Sequence, residues 1–195
     1  MTLQHILDFL FPAQCGGCEE PGAGICDRCL PLGQSVRTRL RTLEVIALGT
    51  YDGGLRRAIV ALKSGRRDVA RAFAARMAQV VPPHSTVVPV PTTAARRRER
   101  GFDGCELMAR LIEQNADASV CTGLIQTRGD RQRGRDRSAR LSAQDRFAWR
   151  GPDIGGRTFV LLDDVATTGA TLEDCAATLR AAGARVEQAI VIARA

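Results

Sequence analysis

At 195 residues, with 45% hydrophobic and 25% charged positions, the chain is long enough for one α/β domain with a real core plus a small appendage. No apolar run approaches the roughly 20 residues that a membrane span needs, and Met1 to Phe11 lacks Lys and Arg and is interrupted by Asp8, which argues against a secretory leader. The net charge of +7 rests almost wholly on Arg, with Lys63 the sole Lys; this favours an anionic partner, although a general bias toward Arg accounts for the total equally well.

Leu3, Ile6, Leu7 and Leu10 share one helical face, so a short amphipathic helix is expected to open the chain and dock on the body. Cys15-x-x-Cys18 and Cys26-x-x-Cys29 follow as two paired knuckles. Thiolates at this spacing reach one tetrahedral Zn²⁺ from a tight turn, and two pairs complete a closed Cys₄ shell with a structural role. A disulfide or a redox C-x-x-C explains one pair but not the second. The other three of the seven Cys, Cys105, Cys121 and Cys175, read as small buried hydrophobes, and an odd count without a leader points to a reducing, cytoplasmic compartment. An Arg-rich linker from about Leu30 to Leu43 then divides an N-terminal unit, 1–43, from the main domain, 44–195.

In the main domain a strand is expected over Val45 to Tyr51. A helix capped by Asp52 carries Leu55, Ile59 and Leu62 on one face and stops at Gly65; a second is capped by Asp68 and ends before Pro82-Pro83. The β-branched run Ser85 to Val90 suggests a buried strand. A basic loop, Ala94 to Arg100, leads to a helix near Phe102 to Gln114 and a strand at Val120 to Ile125. After the Arg-rich stretch Gln126 to Arg150 come a strand at Thr158 to Leu162, a helix at Ala170 to Ala182 closed by Gly183, and a strand at Val186 to Ile192. Alternating strands and helices predict an α/β fold, a mostly parallel sheet flanked by helices, whose ligands bind beyond the carboxyl ends of the strands.

The segment Phe159-Val-Leu-Leu-Asp-Asp-Val-Ala-Thr-Thr-Gly-Ala-Thr171 carries the chemistry. An apolar strand runs into Asp163 and Asp164, then into Val165 and Ala166, a turn of Thr167, Thr168 and Gly169, and a helix opening at Ala170 and Thr171. Backbone N–H groups at a helix N-terminus favour phosphate, hydroxyls add donors, and glycine admits close approach. Two acids can accept from a ribose diol or hold Mg²⁺ through water. A capped turn with two solvated acids is the bland alternative.

This string resembles the PRPP-binding motif of type I phosphoribosyltransferases, with Ala166 where a larger aliphatic residue is usual. Val88-Pro-Val-Pro91, the basic run Arg96 to Arg100 with Gly101-Phe102-Asp103, and Tyr51-Asp-Gly53 through Leu62-Lys63-Ser-Gly65 resemble the ComF family, as does the Cys module. Asp103 stands where that pattern has Asn. Thr127-Arg128, Gln132, Gly134 and Arg140 follow the family pattern loosely, with Ala143 where Asn is expected, so the register across 126–150 stays open. The resemblance implies a PRPP site with Mg²⁺: Asp163 and Asp164 on the ribose, Val165 to Thr171 at the 5-phosphate, Pro91, Thr92 and Arg100 near the pyrophosphate, and Lys63 and Arg128 assisting its departure. The stretch Arg128 to Arg146 suits a hood over the site or a solvated basic loop. Arg96 to Arg100 suits pyrophosphate or nucleic acid. Three functions follow: a phosphoribosyltransferase (a pentosyl glycosyltransferase) with an unidentified acceptor, a single-stranded-DNA-handling module linked to DNA uptake in natural competence, and a PRPP-responsive regulator without catalysis. Few aromatics argue against the second, with Phe102, Phe147 and Trp149 as the stacking candidates.

Overall fold

The computed structural model describes residues 14–22, 24–127 and 146–195. The expected N-terminal helix, Arg128 and most of the proposed hood lie outside them. Eight strands and five helices are described: β1 Val36–Arg39, β2 Glu44–Thr50, α1 Gly53–Lys63, α2 Arg67–Met77, β3 Ser85–Pro89, α3 Ala94–Arg100, α4 Gly104–Asn115, β4 Ala118–Val120, β5 Leu124–Gln126, β6 Phe147–Trp149, β7 Thr158–Ala166, α5 Ala170–Ala181 and β8 Arg185–Arg194.

Six strands form one sheet in the order β1-β2-β8-β7-β3-β4, parallel throughout except for β1, which runs antiparallel along the outer edge of β2. The pleat sorts the side chains. Along β7, Val160 and Leu162 face a core shared with α1, α2 and α4, while Phe159 and Leu161 face a second core closed by α5 and by β5–β6. The sheet is therefore covered on both faces, and its middle strands are continuous apolar runs for that reason.

Several boundaries differ from the sequence expectation, each for a local reason. The segment read as a linker contributes β1, whose Arg37 pairs with Glu44 at 3.1 Å. The loop 94–100 is a short helix: Thr93 accepts from the Arg96 N–H at 3.2 Å, and Gly101 ends it at φ 75°. Asp52 sits at the N-cap of α1 but its carboxylate accepts from the Thr50 hydroxyl at 2.8 Å instead of capping. Helix α2 starts one residue before Asp68, which pairs with Arg66 from within the first turn. The expected strand at 120–125 is two strands: β4 pairs with β3, whereas β5 pairs with β6 in a separate antiparallel ribbon. Strand β6 had no forecast, being three residues at the edge of an Arg-rich stretch. Strand β7 runs four residues past Leu162, so both acids lie within it.

The cysteine module is seated on the main body. Ile25 and Leu30 are buried in the first core with α1 and α2 residues. Contact is close enough that a Cβ on Gly17 would lie 2.6 Å from the Gly54 carbonyl, and one on Gly24 2.5 Å from that of Asp68.

Candidate functional site

Neighbouring strands β3 and β7 feed connections that leave in opposite directions, β3 outward to β4 and β7 across to β8. This is the switch point at which open α/β sheets leave a crevice beyond the strand ends. A cleft of ≈ 220 Å³ lies there. Its lining brings together Lys63 from the end of α1, Pro91 and Thr92 after β3, Arg96 and Arg100 of α3, Asp163, Asp164 and Val165 of β7, and Thr171 of α5. Ala166, Thr167, Thr168, Gly169 and Ala170 form the turn beside it without lining it. Ala166 is buried and its carbonyl accepts from the Ala195 N–H at 3.0 Å and from Arg194 Nη1 at 2.9 Å.

The two acids differ in circumstance. Asp164 is paired with Lys63, Nζ to Oδ2 3.1 Å. Asp163 Oδ1 accepts from the Asp164 N–H at 2.8 Å and faces the Cys105 thiol at 3.6 Å. Burial and the adjoining Asp164 carboxylate push Asp163 up to about 7, against the pull of those donors and of Lys63. Cys105 is likewise pushed well above its usual range, by burial and then by Asp163. It is a protonated donor at neutral pH, not a nucleophile.

Asp103 was noted only as a substitution, yet it organises the wall. Its Oδ1 caps α4 by accepting from the N–H groups of Cys105 (3.1 Å) and Glu106 (3.2 Å). Its Oδ2 accepts from the Thr92 N–H at 3.2 Å and from Arg97 at 3.5 Å. One buried carboxylate thus ties the 91–93 loop to α3 and α4. Gln126 also lines the cleft, a residue that sequence reasoning gave no role; Phe147, read as a stacking candidate, lines it as well, as does Arg146, the last residue of the expected hood, which pairs with Asp174 at 2.8 Å. Only the antiparallel pairing of β5 with β6 carries them to the cleft, and nothing local in the sequence signals it.

The stacking candidates are committed to packing. Phe147 is buried, the Arg67 guanidinium lies 5.2 Å over the Phe102 ring, and Trp149 packs 6.4 Å from Phe159 while donating to the Pro152 carbonyl at 2.8 Å.

The second cluster is the cysteine module. The sulfurs of Cys15, Cys18, Cys26 and Cys29 all lie within 4.8 Å of one another, a set able to hold one metal ion. The N–H groups of Gly17 and Cys26 each donate to Cys15 Sγ at 3.3 Å. Burial alone would raise the Cys15 thiol, but the backbone donors of Cys26, Cys18 and Gly17 together bring it down to about 6. Cys29, deprived of such donors, is pushed up to about 12 by burial and its thiol neighbours. An anionic sulfur already held by N–H groups is the arrangement that outer hydrogen bonds give a metal ligand.

Comparison with curated proteins finds the competence protein ComFC of Bacillus subtilis (strain 168), 25% identical over 166 residues, covering 81% of this chain and 68% of that one. The chain is thus similar to ComFC over most of its length. No family model matches it. Among solved structures, adenine phosphoribosyltransferase from Leishmania tarentolae is 12% identical with a TM-score of 0.45, over 82% of this chain and 94% of that one. UMP synthase from Leishmania donovani is 18% identical with a TM-score of 0.42 over 70% of this chain, which spans only 24% of that protein. The fold class rests on strand order and direction.

Proposed function

We propose that the cleft binds PRPP, or another 5-phosphoribosyl ligand, together with Mg²⁺, and that it serves transfer of the phosphoribosyl group to an acceptor. The observation that carries this reading is the convergence at one switch point of Asp163 and Asp164 with Lys63, three Arg (Arg96, Arg100 and Arg146), and Thr171 at a helix start. In this reading the N–H groups opening α5 and the Thr171 hydroxyl receive the 5-phosphate. Asp163 and Asp164 accept from the ribose hydroxyls. Lys63, Arg96, Arg100 and the 91–92 backbone meet the pyrophosphate, where negative charge grows as the bond from the anomeric carbon breaks and the acceptor's bond forms. Arg128 keeps its proposed part in that departure. Hard oxygen ligands suit Mg²⁺, which would supply charge neutralisation on the departing group. The cysteine module would hold structural Zn²⁺, and the reduced thiols fit a cytoplasmic location. Among the described residues no helix is long and apolar enough to cross a membrane.

ComFC is named a competence protein, which extends the reading to competence, and with it to the DNA uptake that the family resemblance implies. A non-catalytic, single-stranded-DNA-handling role is the second reading, favoured by helix α3, whose residues Arg96, Arg97 and Arg98 are exposed and none of whose side chains is buried. The packed aromatics weigh against a stacking platform.

Calorimetric titration with PRPP and Mg²⁺, repeated with single-stranded DNA at two salt concentrations, separates the two. Saturable PRPP binding that is abolished in the folded double variant Asp163→Asn, Asp164→Asn supports the pocket; unchanged affinity in that variant removes it. DNA binding that falls steeply with salt, without PRPP binding, selects the second reading.

A further inference from the structure

The turn between β1 and β2 lies far from the cleft in sequence but is clamped to the helix that opens beside it. Thr42 donates to Glu173 of α5 twice, from its N–H to Oε1 at 2.8 Å and from its hydroxyl to Oε2. Arg180, two turns further along α5, donates to the Thr42 hydroxyl at 2.7 Å and to its carbonyl at 3.1 Å. The Leu40 N–H closes the turn on the Leu43 carbonyl at 2.8 Å. This arrangement leaves Leu40 pressed on the phosphate turn: a Cβ on Gly169 would lie 2.3 Å from Leu40 Cδ1. Gly169 is buried under it, at φ 79°, and its carbonyl receives the Glu173 N–H at 3.0 Å. Thr168 and Ala170 flank this residue, and Leu40 occupies the space that a side chain there would need.

We infer that Leu40 and Thr42 are positioning residues for the 5-phosphate: the turn holds Gly169 in its left-handed conformation and so fixes the N–H groups that open α5. The inference rests on the proposed 5-phosphoribosyl reading and adds a residue set that touches no ligand. Clamping charge-assisted donors on Glu173 keeps the helix start rigid. A preformed anion cradle spares the ligand the cost of ordering it.

The test is calorimetry of the full-length protein with three probes: ribose 5-phosphate, PRPP with Mg²⁺, and pyrophosphate with Mg²⁺. In Thr42→Val and in Leu40→Ala, ribose 5-phosphate and PRPP are expected to weaken about tenfold, equivalent to ~1.4 kcal/mol, while pyrophosphate stays within about twofold. Thr42→Ser, which keeps the hydroxyl, restores affinity. A merely structural role predicts equal weakening of all three probes or no recovery with Ser, and either result overturns the inference, as does unaltered ribose 5-phosphate binding in both folded variants. If Thr42→Val does not fold, Leu40→Ala, which leaves every clamp hydrogen bond in place, decides alone. Failure of the wild-type protein to bind any 5-phosphate ligand overturns the underlying reading itself, and is seen before any variant is made.

Discussion

The two polar clusters of this molecule are built in opposite ways. The four sulfurs come from a run of fifteen positions, Cys15 to Cys29, and lie within 4.8 Å of one another through turns that the run itself makes. The cleft draws its groups from α1, the loop after β3, α3, β7 and α5, and exists only once a six-stranded sheet has placed those ends side by side. A local cluster is a fold in itself and fails all at once when its centre is lost. A distributed cluster is held by many independent supports, so each support can be weakened separately and its share of the function measured.

The largest effect expected is on the local side. Structural zinc sites in small domains are worth on the order of 10 kcal/mol or more, and Ile25 and Leu30 of the module are part of the main core. Untagged protein should carry one zinc per chain by metal analysis. Chelation should lower its thermal midpoint more than any single cleft substitution does; an unmoved midpoint would mean that the module is ornamental to the body.

Gly169→Ala comes next. The residue is at φ 79° and its Cβ would overlap Leu40. Left-handed backbone costs an ordinary residue roughly 1–2 kcal/mol before the overlap is relieved. Loss of 5-phosphate binding with modest loss of stability is expected, read by parallel titration and melting. Because the clash is with Leu40, the pair Gly169→Ala with Leu40→Ala should recover part of that loss.

A smaller, graded effect follows from the two acids. Asp163 is pushed up to about 7 by burial and by Asp164. A carboxyl whose folded value is raised favours the folded state when protonated, so its contribution to stability is full below its unfolded value near 4 and is lost as pH rises to about 7. Ligand binding that uses the carboxylate runs the other way. Affinity should fall as pH drops below about 7, by up to about tenfold per unit for one proton. Titrations between pH 5.5 and 8 check the slope, and Asp163→Asn should flatten the stability profile.

What the sequence made legible follows the same division. Spacing alone located the cysteine module, and the strand-acid-acid-Thr-Gly-helix string located β7, its acids and the start of α5. Lys63, the only Lys, was singled out by its place in the stretch that resembles the ComF pattern. Asp103 was harder to read, because its value lies in joining Thr92 and α4, two partners it meets only in the fold. The place of Gln126 and Phe147 in the cleft wall was illegible because β5 and β6 are three residues each, too short for periodicity to register. Strand β1 was hidden by its setting: an exposed edge strand of alternating Arg and small residues reads as a linker until β2 supplies its partner.

The ribbon that carries Gln126 and Phe147 over the cleft also carries Trp149, the chain's one tryptophan. Its indole packs against Gly151 and Gly123 and hydrogen-bonds to the Pro152 carbonyl at 2.8 Å. An emitting ring two residues from the cleft wall, with no second indole to blur it, gives the protein its own optical signal. Any closing of the ribbon over an occupant can be followed by intrinsic fluorescence in stopped flow, on unlabelled protein.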